Sequence, residues 1–292
     1  MQTQAHTRVR YHTTNVAGLR IFHREAGNPN KPAILLLTGF PGASHTFGQL
    51  IDLLKNDFHL IAPDYPGFGH SAAPAANEFD YTFDTLAKVL EQWIDQLGLV
   101  RFSLYAHDYG GPIGFRIASR RPELIESLII QNANAYEAGI GPGFGAAMPF
   151  LQNRTVETEL PIRGLMTLDG VKMVYETGAE NPSRINPDHY VLDHLLLNRP
   201  GLVDIHLNLL HNYTSNFSQF EVWQQYFRQY QPATLLVWGQ NDPFFPEAAA
   251  RAFLTDLPNA ELHLFNTGHF ALEEFADEIA AAINAFLAPI AV

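Results

Sequence analysis

The stretch RFSLYAHDYGGPIGFR, Arg101–Arg116, decides how the rest of the chain is read. Its first part is an apolar run with the character of a buried strand. Ala106 ends that run, and His107-Asp108-Tyr109-Gly110-Gly111 follows. Pro112-Ile113-Gly114-Phe115-Arg116 then opens a helix. Ala106, Gly110 and Gly111 flank Asp108 at the spacing of a tight strand-to-helix turn. Such a turn lifts its central side chain above the sheet, where a substrate can reach it. The usual central residue is a serine; here it is an aspartate. Taken alone, Asp108 reads equally well as the N-cap of the helix.

The same alternation extends outward. Val9–Val16 and Leu19–Glu25 read as strands joined at Ala17-Gly18. Ala33–Leu37, Phe58–Pro63, Ser127–Ile130, Ala233–Trp238 and Glu261–Phe265 are apolar runs of the kind found in strands covered on both faces. Between them lie amphipathic helices. Leu86, Val89, Leu90, Trp93, Ile94 and Leu97 share one helical face before Gly98. Leu272, Phe275, Ile279, Ile283 and Phe286 repeat that pattern near the end of the chain. Alternating strands and helices predict a mostly parallel sheet flanked by helices. From about Tyr136 to Asn216 the rhythm breaks. That stretch is punctuated by glycine and proline, its periodic parts look helical, and it is too long for a structureless loop. The expected organisation is a core over residues 1–135, an inserted helical cap over 136–216 after the sixth strand, and core again over 217–292.

Open α/β sheets place their sites beyond the carboxyl ends of the strands. After Ala33–Leu37 comes Thr38-Gly39-Phe40-Pro41-Gly42, whose Phe40 N–H is a candidate oxyanion donor with the N–H of Tyr109. An ordinary strand-to-helix turn is the alternative. Asp242 follows Ala233–Trp238, and His269 follows Glu261–Phe265. Each alone reads as a turn residue. Together Asp108, Asp242 and His269 give the order nucleophile, acid, histidine, each at a strand end. Glu137, after the sixth core strand, is the alternative acid.

Composition narrows the function. Hydrophobic residues make up 47% of the 292, enough for a large core. A net charge of −12 repels phosphate backbones and anionic bilayers, so no nucleic-acid or membrane partner is expected. The chain has no cysteine, which excludes disulfides, thiolate metal sites and cysteine nucleophiles. His189, His194, His206 and His211 show no zinc-type spacing, so neither metal nor cofactor is expected. A polar start and no spanning apolar run give a cytoplasmic protein as the expectation.

The motifs TGFPG, DYPGFGHS, HDYGG, GQNDPF and TGHF resemble those of α/β-hydrolase proteins of the epoxide hydrolase and haloalkane dehalogenase branch. The resemblance covers about Val9 to Leu287. One departure is Thr38, where that branch usually has histidine. The resemblance implies a covalent alkyl ester on Asp108, hydrolysed by water that His269 activates with Asp242 behind it. It also implies tyrosine proton donors from the inserted helices. Tyr175 and Tyr213 are the candidates, with Tyr190 and Tyr136 in reserve. Phe40, Tyr109 and Tyr190 are the expected substrate contacts. Dehalogenases of that branch generally place tryptophan after the nucleophile, and many place asparagine in the first loop; here those positions hold Tyr109 and Phe40. Epoxide opening is therefore the leading expectation. A haloalkane dehalogenase or other Asp-nucleophile hydrolase is second, and a non-catalytic ligand-binding member of the fold third. The expected partners are a small apolar electrophile and water, with a homodimer left open.

Overall fold

A computed structural model describes residues 8–288. The strands are β1 (Arg10–Val16), β2 (Leu19–Ala26), β3 (Ala33–Leu37), β4 (His59–Pro63), β5 (Phe102–His107), β6 (Ile125–Gln131), β7 (Ala233–Gly239) and β8 (Glu261–Phe265). They form one eight-stranded sheet in the order β1-β2-β4-β3-β5-β6-β7-β8. β2 pairs antiparallel with β1 and β4, and all other neighbours are parallel. The expected strands are all present, with ends moved by a residue or two. β6 starts earliest against expectation, at Ile125, because Ile125 pairs with Phe102 at the start of β5.

Parallel strands cannot turn directly into one another, so helices cross between them and cover both faces. Helix α1 (Gly48–Leu54) follows β3, α2 (Phe83–Leu97) follows β4, and α3 (Gly110–Arg120) follows β5. The side chains of β3 show the result. Ile34 and Leu36 join one core layer with Tyr105 and Ile129, while Leu35 and Leu37 join the other with Leu104 and Leu128. Period-two alternation thus buries every residue from Ile34 to Leu37, which is why the run reads as unbroken apolar sequence.

Between β6 and β7 no strand occurs among the described residues. The chain instead forms α4 (Pro142–Gly145), α5 (Met148–Gln152), α6 (Val156–Gly164), α7 (Leu168–Glu176), α8 (Pro187–Leu197), α9 (Leu202–His211), α10 (Thr214–Phe217) and α11 (Phe220–Tyr230). α11 returns to the core, where Trp223 and Phe227 pack on Phe115 of α3. α12 (Glu247–Asp256) and α13 (Ala271–Leu287) complete the helices. No described helix is long and apolar enough to cross a membrane.

The register Leu37↔Ala106 brings the ends of β3 and β5 side by side at the middle of the sheet. Gly110, just past β5, lies so close to β3 that a Cβ there would meet the Leu37 carbonyl oxygen at 2.2 Å. Gly110→Ala must push the two strand ends apart. The expected cost is about 1–3 kcal/mol of unfolding free energy, read from denaturant melts.

Candidate active site

Asp108 stands directly after β5 with φ 50°, a left-handed conformation for a residue with a Cβ. Such backbone is strained by roughly 1–2 kcal/mol and persists where surrounding structure enforces it. Its carboxylate does not cap α3, which has no side-chain cap. Instead Oδ1 accepts the N–H of Phe40 at 2.6 Å. The neighbouring Tyr109 N–H also favours the charged carboxylate. The loop after β3 can come this close because residue 39 is glycine: a Cβ there would meet Asp108 Oδ1 at 2.1 Å. Two hydroxyl contacts steady that loop. Tyr65 donates to the Thr38 carbonyl at 2.7 Å, and the Thr38 and Thr46 hydroxyls lie 3.3 Å apart.

His269 follows β8 and faces the other carboxylate oxygen, with Nε2 3.6 Å from Asp108 Oδ2. Its Nδ1 lies 2.7 Å from Asp242 Oδ2. Asp242 is buried and held from two further sides: Phe244 N–H donates to Oδ1 at 2.7 Å, and Asn132 Nδ2 donates to Oδ2 at 2.8 Å. The structure therefore brings Asp108, Asp242 and His269 together. Glu137 is exposed and outside this chain of contacts.

Asn132 was missed in the sequence. It follows β6 directly, so the strand-end rule that picked out Asp242 would have found it. It also has a positive φ, 40°, and its carbonyl receives the Asp108 N–H at 3.3 Å. One residue thus braces the Asp242 carboxylate and the Asp108 main chain. His107 and Gln131, at the ends of β5 and β6, were missed as well. Each donates to the His269 main-chain carbonyl, at 3.1 and 3.4 Å, and fixes the loop carrying that histidine.

Burial dominates the electrostatics. Removal from water pushes the Asp108 carboxyl up to about 6, against the opposing pull of His269 and the two N–H groups. For His269, burial works to lower the pKa, but the Asp242 contact and the Asp108 charge outweigh it and leave a net upward shift. Burial also keeps His107 neutral, well below its ordinary value.

The carboxylate opens into a cavity of about 60 Å³. At about 10–15 Å³ per water, that is room for several waters or a small molecule. Core residues Phe40, Tyr109, Phe244 and Phe245 line one part. The inserted helices and the segments joining them supply Phe144, Ala147, Leu165, Val174 and Leu210. Among the described residues, apart from Asp108 and His269, only Tyr109 lines it with a polar side chain.

The expected tyrosines separate here. Tyr213 is buried against Tyr109 and Phe144, and its hydroxyl has no hydrogen-bond partner. Burial raises its pKa, and the Asp108 charge adds to the rise. Neither Tyr213 nor Tyr175 lines the cavity; from the Tyr175 helix Val174 does. The Tyr175 ring stacks on Phe270 at 3.8 Å, and its hydroxyl donates to Asp193, whose other oxygen lies 3.2 Å from His45 of the core. Tyr175 thus belongs to a joint between inserted helix and core, which corrects its expected place. Tyr190 is corrected likewise, since it lies edge-on to Tyr175, near Lys172 and away from the cavity lining. The Tyr136 hydroxyl donates to Asp256. Of the four histidines considered for metal, His189 pairs with Glu273 and His206 contacts the Gly67 carbonyl.

A buried carboxyl whose pKa rises on folding binds a proton more readily folded than unfolded. Stability is therefore lost as pH climbs from the unfolded value, near 4, through about 6. Asp108→Asn keeps the shape and removes the charge. It should raise unfolding free energy at pH 8 by on the order of 2 kcal/mol, with the gain gone by about pH 4. Denaturant melts across that range measure it.

Comparison with known proteins agrees with this architecture. Residues 32–276 match the family described as alpha/beta hydrolase fold. An uncharacterized hydrolase of Saccharomyces cerevisiae is 36% identical over 284 residues, covering 96% of this chain and 97% of that one. Haloalkane dehalogenase 2 of Mycobacterium bovis is 29% identical over 262 residues, 86% of each chain. The solved structure of the epoxide hydrolase CorEH superposes with a TM-score of 0.79 at 19% identity, covering 97% of this chain and 100% of that one, a likeness of fold. The chain is a hydrolase of the α/β-hydrolase fold family.

Proposed function

We propose that this chain opens epoxides to vicinal diols through an ester on Asp108. One observation carries the reading. A carboxylate occupies the elbow, one oxygen held by the Phe40 N–H and the other facing His269, in an apolar cavity whose remaining polar side chain among the described residues is that of Tyr109.

A carboxylate nucleophile suits attack at saturated carbon. Asp108 Oδ2 forms a bond to one ring carbon, and the C–O bond of the ring breaks. The electron pair goes to the ring oxygen, which takes a proton from a tyrosine hydroxyl. Tyr213 is the proposed donor, with Tyr109 beside it at the cavity wall. His269 then removes a proton from water, and the hydroxide attacks the carbonyl carbon of the Asp108 ester. The oxyanion forms where Phe40 and Tyr109 N–H already point. Collapse expels the diol oxygen, which takes the proton from His269. Asp108 keeps one oxygen from water. The inserted helices act as a cap, their apolar side chains excluding bulk water from the cavity.

Halide departure is less well served. A halide needs N–H donors, and no tryptophan or asparagine lines the cavity. The nearby Trp238 indole is already committed to the Phe245 carbonyl.

His269→Gln should stop the second step and leave the first. Mixed with propylene oxide or styrene oxide, that variant should gain the mass of one epoxide on Asp108, read by intact-protein mass spectrometry. Bromobutane should give far slower alkylation. Wild-type turnover of an epoxide with no ester trapped in the variant refutes the two-step scheme, and fast bromide release would transfer the assignment to haloalkanes.

Positioned proton donors contribute about a hundred- to ten-thousand-fold in rate. Tyr213→Phe should therefore slow Asp108 alkylation by ~10- to 100-fold, the lower end if Tyr109 compensates. Tyr109→Phe combined with it should cost more than either alone. Tyr175→Phe should leave alkylation within ~3-fold of wild type, since its hydroxyl is spent on Asp193. Pre-steady-state alkylation in the His269→Gln background measures all of these.

A further inference from the structure

Arg116 is almost fully buried, yet among the described residues no carboxylate lies within ion-pair reach of it. Its guanidinium donates to neutral groups only: the Pro112 carbonyl at 2.9 Å, Asn216 Oδ1 at 2.7 Å and Ser215 Oγ at 3.5 Å. Its flat faces rest near two rings, 5.8 Å from the Phe83 centroid and 5.3 Å from that of Trp223. A buried charge without a counter-ion is costly and rare. Its retention here calls for a partner whose charge appears only at some moment.

Tyr213 is that partner by position. Arg116 grips Ser215 and Asn216, the second and third residues after it. Asn216 N–H in turn donates to the Tyr213 carbonyl at 2.9 Å. Phe83 touches both, lying under the guanidinium and edge-on to the Tyr213 ring at 5.6 Å. The Tyr213 hydroxyl is itself buried without a partner. Of the ionisable groups that act on it, Asp108 raises its pKa and Arg116 lowers it, and the Tyr109 ring lies 6.2 Å away. Of these only Arg116 favours negative charge on the phenol oxygen, and it does so through apolar surroundings, where screening is weak.

We infer that Arg116 is a positioning residue for ring opening: acting through Tyr213, it supplies the positive charge that stabilises the phenol oxygen as its proton passes to the leaving oxygen. The step conserves atoms, since the Tyr213 proton goes to the ring oxygen and water later returns one to the tyrosinate. This rests on the epoxide reading above. It adds a residue on the core helix α3, which also starts at the nucleophile elbow, so one helix serves both nucleophile and acid.

The test separates charge from mere tethering, with all alkylation rates on styrene oxide or propylene oxide in the His269→Gln background. Arg116→Met should slow alkylation by ~10- to 100-fold and leave hydrolysis of the preformed ester, measured with His269 intact, within ~3-fold. Arg116→Lys keeps the charge without the planar donors and should retain most of the rate. Asn216→Ala removes the strongest tether and keeps the charge, so its alkylation rate should stay near wild type. It also serves if Arg116→Met does not fold. In combination with Tyr213→Phe, Arg116→Met should cost little more, because the phenol it acts on is gone. A difluorotyrosine at Tyr213, a stronger acid, should recover part of the rate lost in Arg116→Met. Wild-type alkylation in Arg116→Met overturns the inference. So does equal slowing by Lys, Met and Asn216→Ala, which marks a structural tether. If Tyr213→Phe alkylates normally, the donor assignment and this inference fall together while the trapped ester stands. If wild type opens no epoxide, the reading beneath both fails first.

Discussion

The Phe40 N–H meets Asp108 Oδ1 at 2.6 Å, and much of the layout follows from what that bond requires. It joins the loop after β3 to the residue after β5. Those strands must therefore be neighbours, although β4 lies between them in sequence. The Leu37↔Ala106 register sets their ends level. Asp108 must hold φ 50° to turn its carboxylate toward the loop, and residue 39 must lack a Cβ to let it approach. A parallel sheet with crossover helices meets these conditions, because it delivers every strand end to the same edge. The same bond gives the carboxylate its direction, one oxygen toward the Phe40 N–H and one toward His269.

Holding a carboxylate there works against stability. Burial raises its pKa to about 6, so at neutral pH the site keeps a charge it would be more comfortable without. The surroundings are built to make that charge tolerable without neutralising it. The Phe40 N–H meets one oxygen, and the histidine stands 3.6 Å from the other, near enough to attract and too far for a short bond. Asp242 takes the histidine's far side, and Asn132 keeps Asp242 from swinging away. Asn132 also receives the Asp108 N–H, so nucleophile and acid are braced by one residue at the end of the strand between theirs.

The inserted helices join the core through polar contacts at their edges and apolar ones over the cavity. Asp193 faces His45, and His189 pairs with Glu273 at 2.6 Å, so two histidine–carboxylate pairs cross the joint with their roles exchanged. Tyr175 is drawn into that joint by Asp193. Tyr213, at the other end of the insertion, has no such claim on its hydroxyl. It is packed instead among Phe83, Tyr109 and Phe144, where its hydroxyl finds no partner.

By itself the sequence determined the strands, the helical insertion and the three residues Asp108, Asp242 and His269. It could do so because each signal is local. An apolar run followed at once by a glycine-rich turn marks both a strand and its carboxyl end, and chemistry on this kind of sheet sits at those ends. Asn132 was legible by the same rule, but a neutral amide at a strand end carries no charge to mark it as part of an acid–base site. Only the tertiary structure decided which tyrosines approach the nucleophile. Tyr175 and Tyr213 look alike in sequence, both aromatic residues on or beside short helices. Which way each hydroxyl points depends on how its helix docks and on what polar group lies opposite, Asp193 for one and nothing for the other. Arg116 is the sharper case. In sequence it is one more arginine on an amphipathic helix, and its burial without a counter-ion arises only when α11 brings Trp223 across it and the insertion returns with Asn216. Contacts made between segments a hundred residues apart leave no local pattern, because the physics that selects them acts only after the chain has folded.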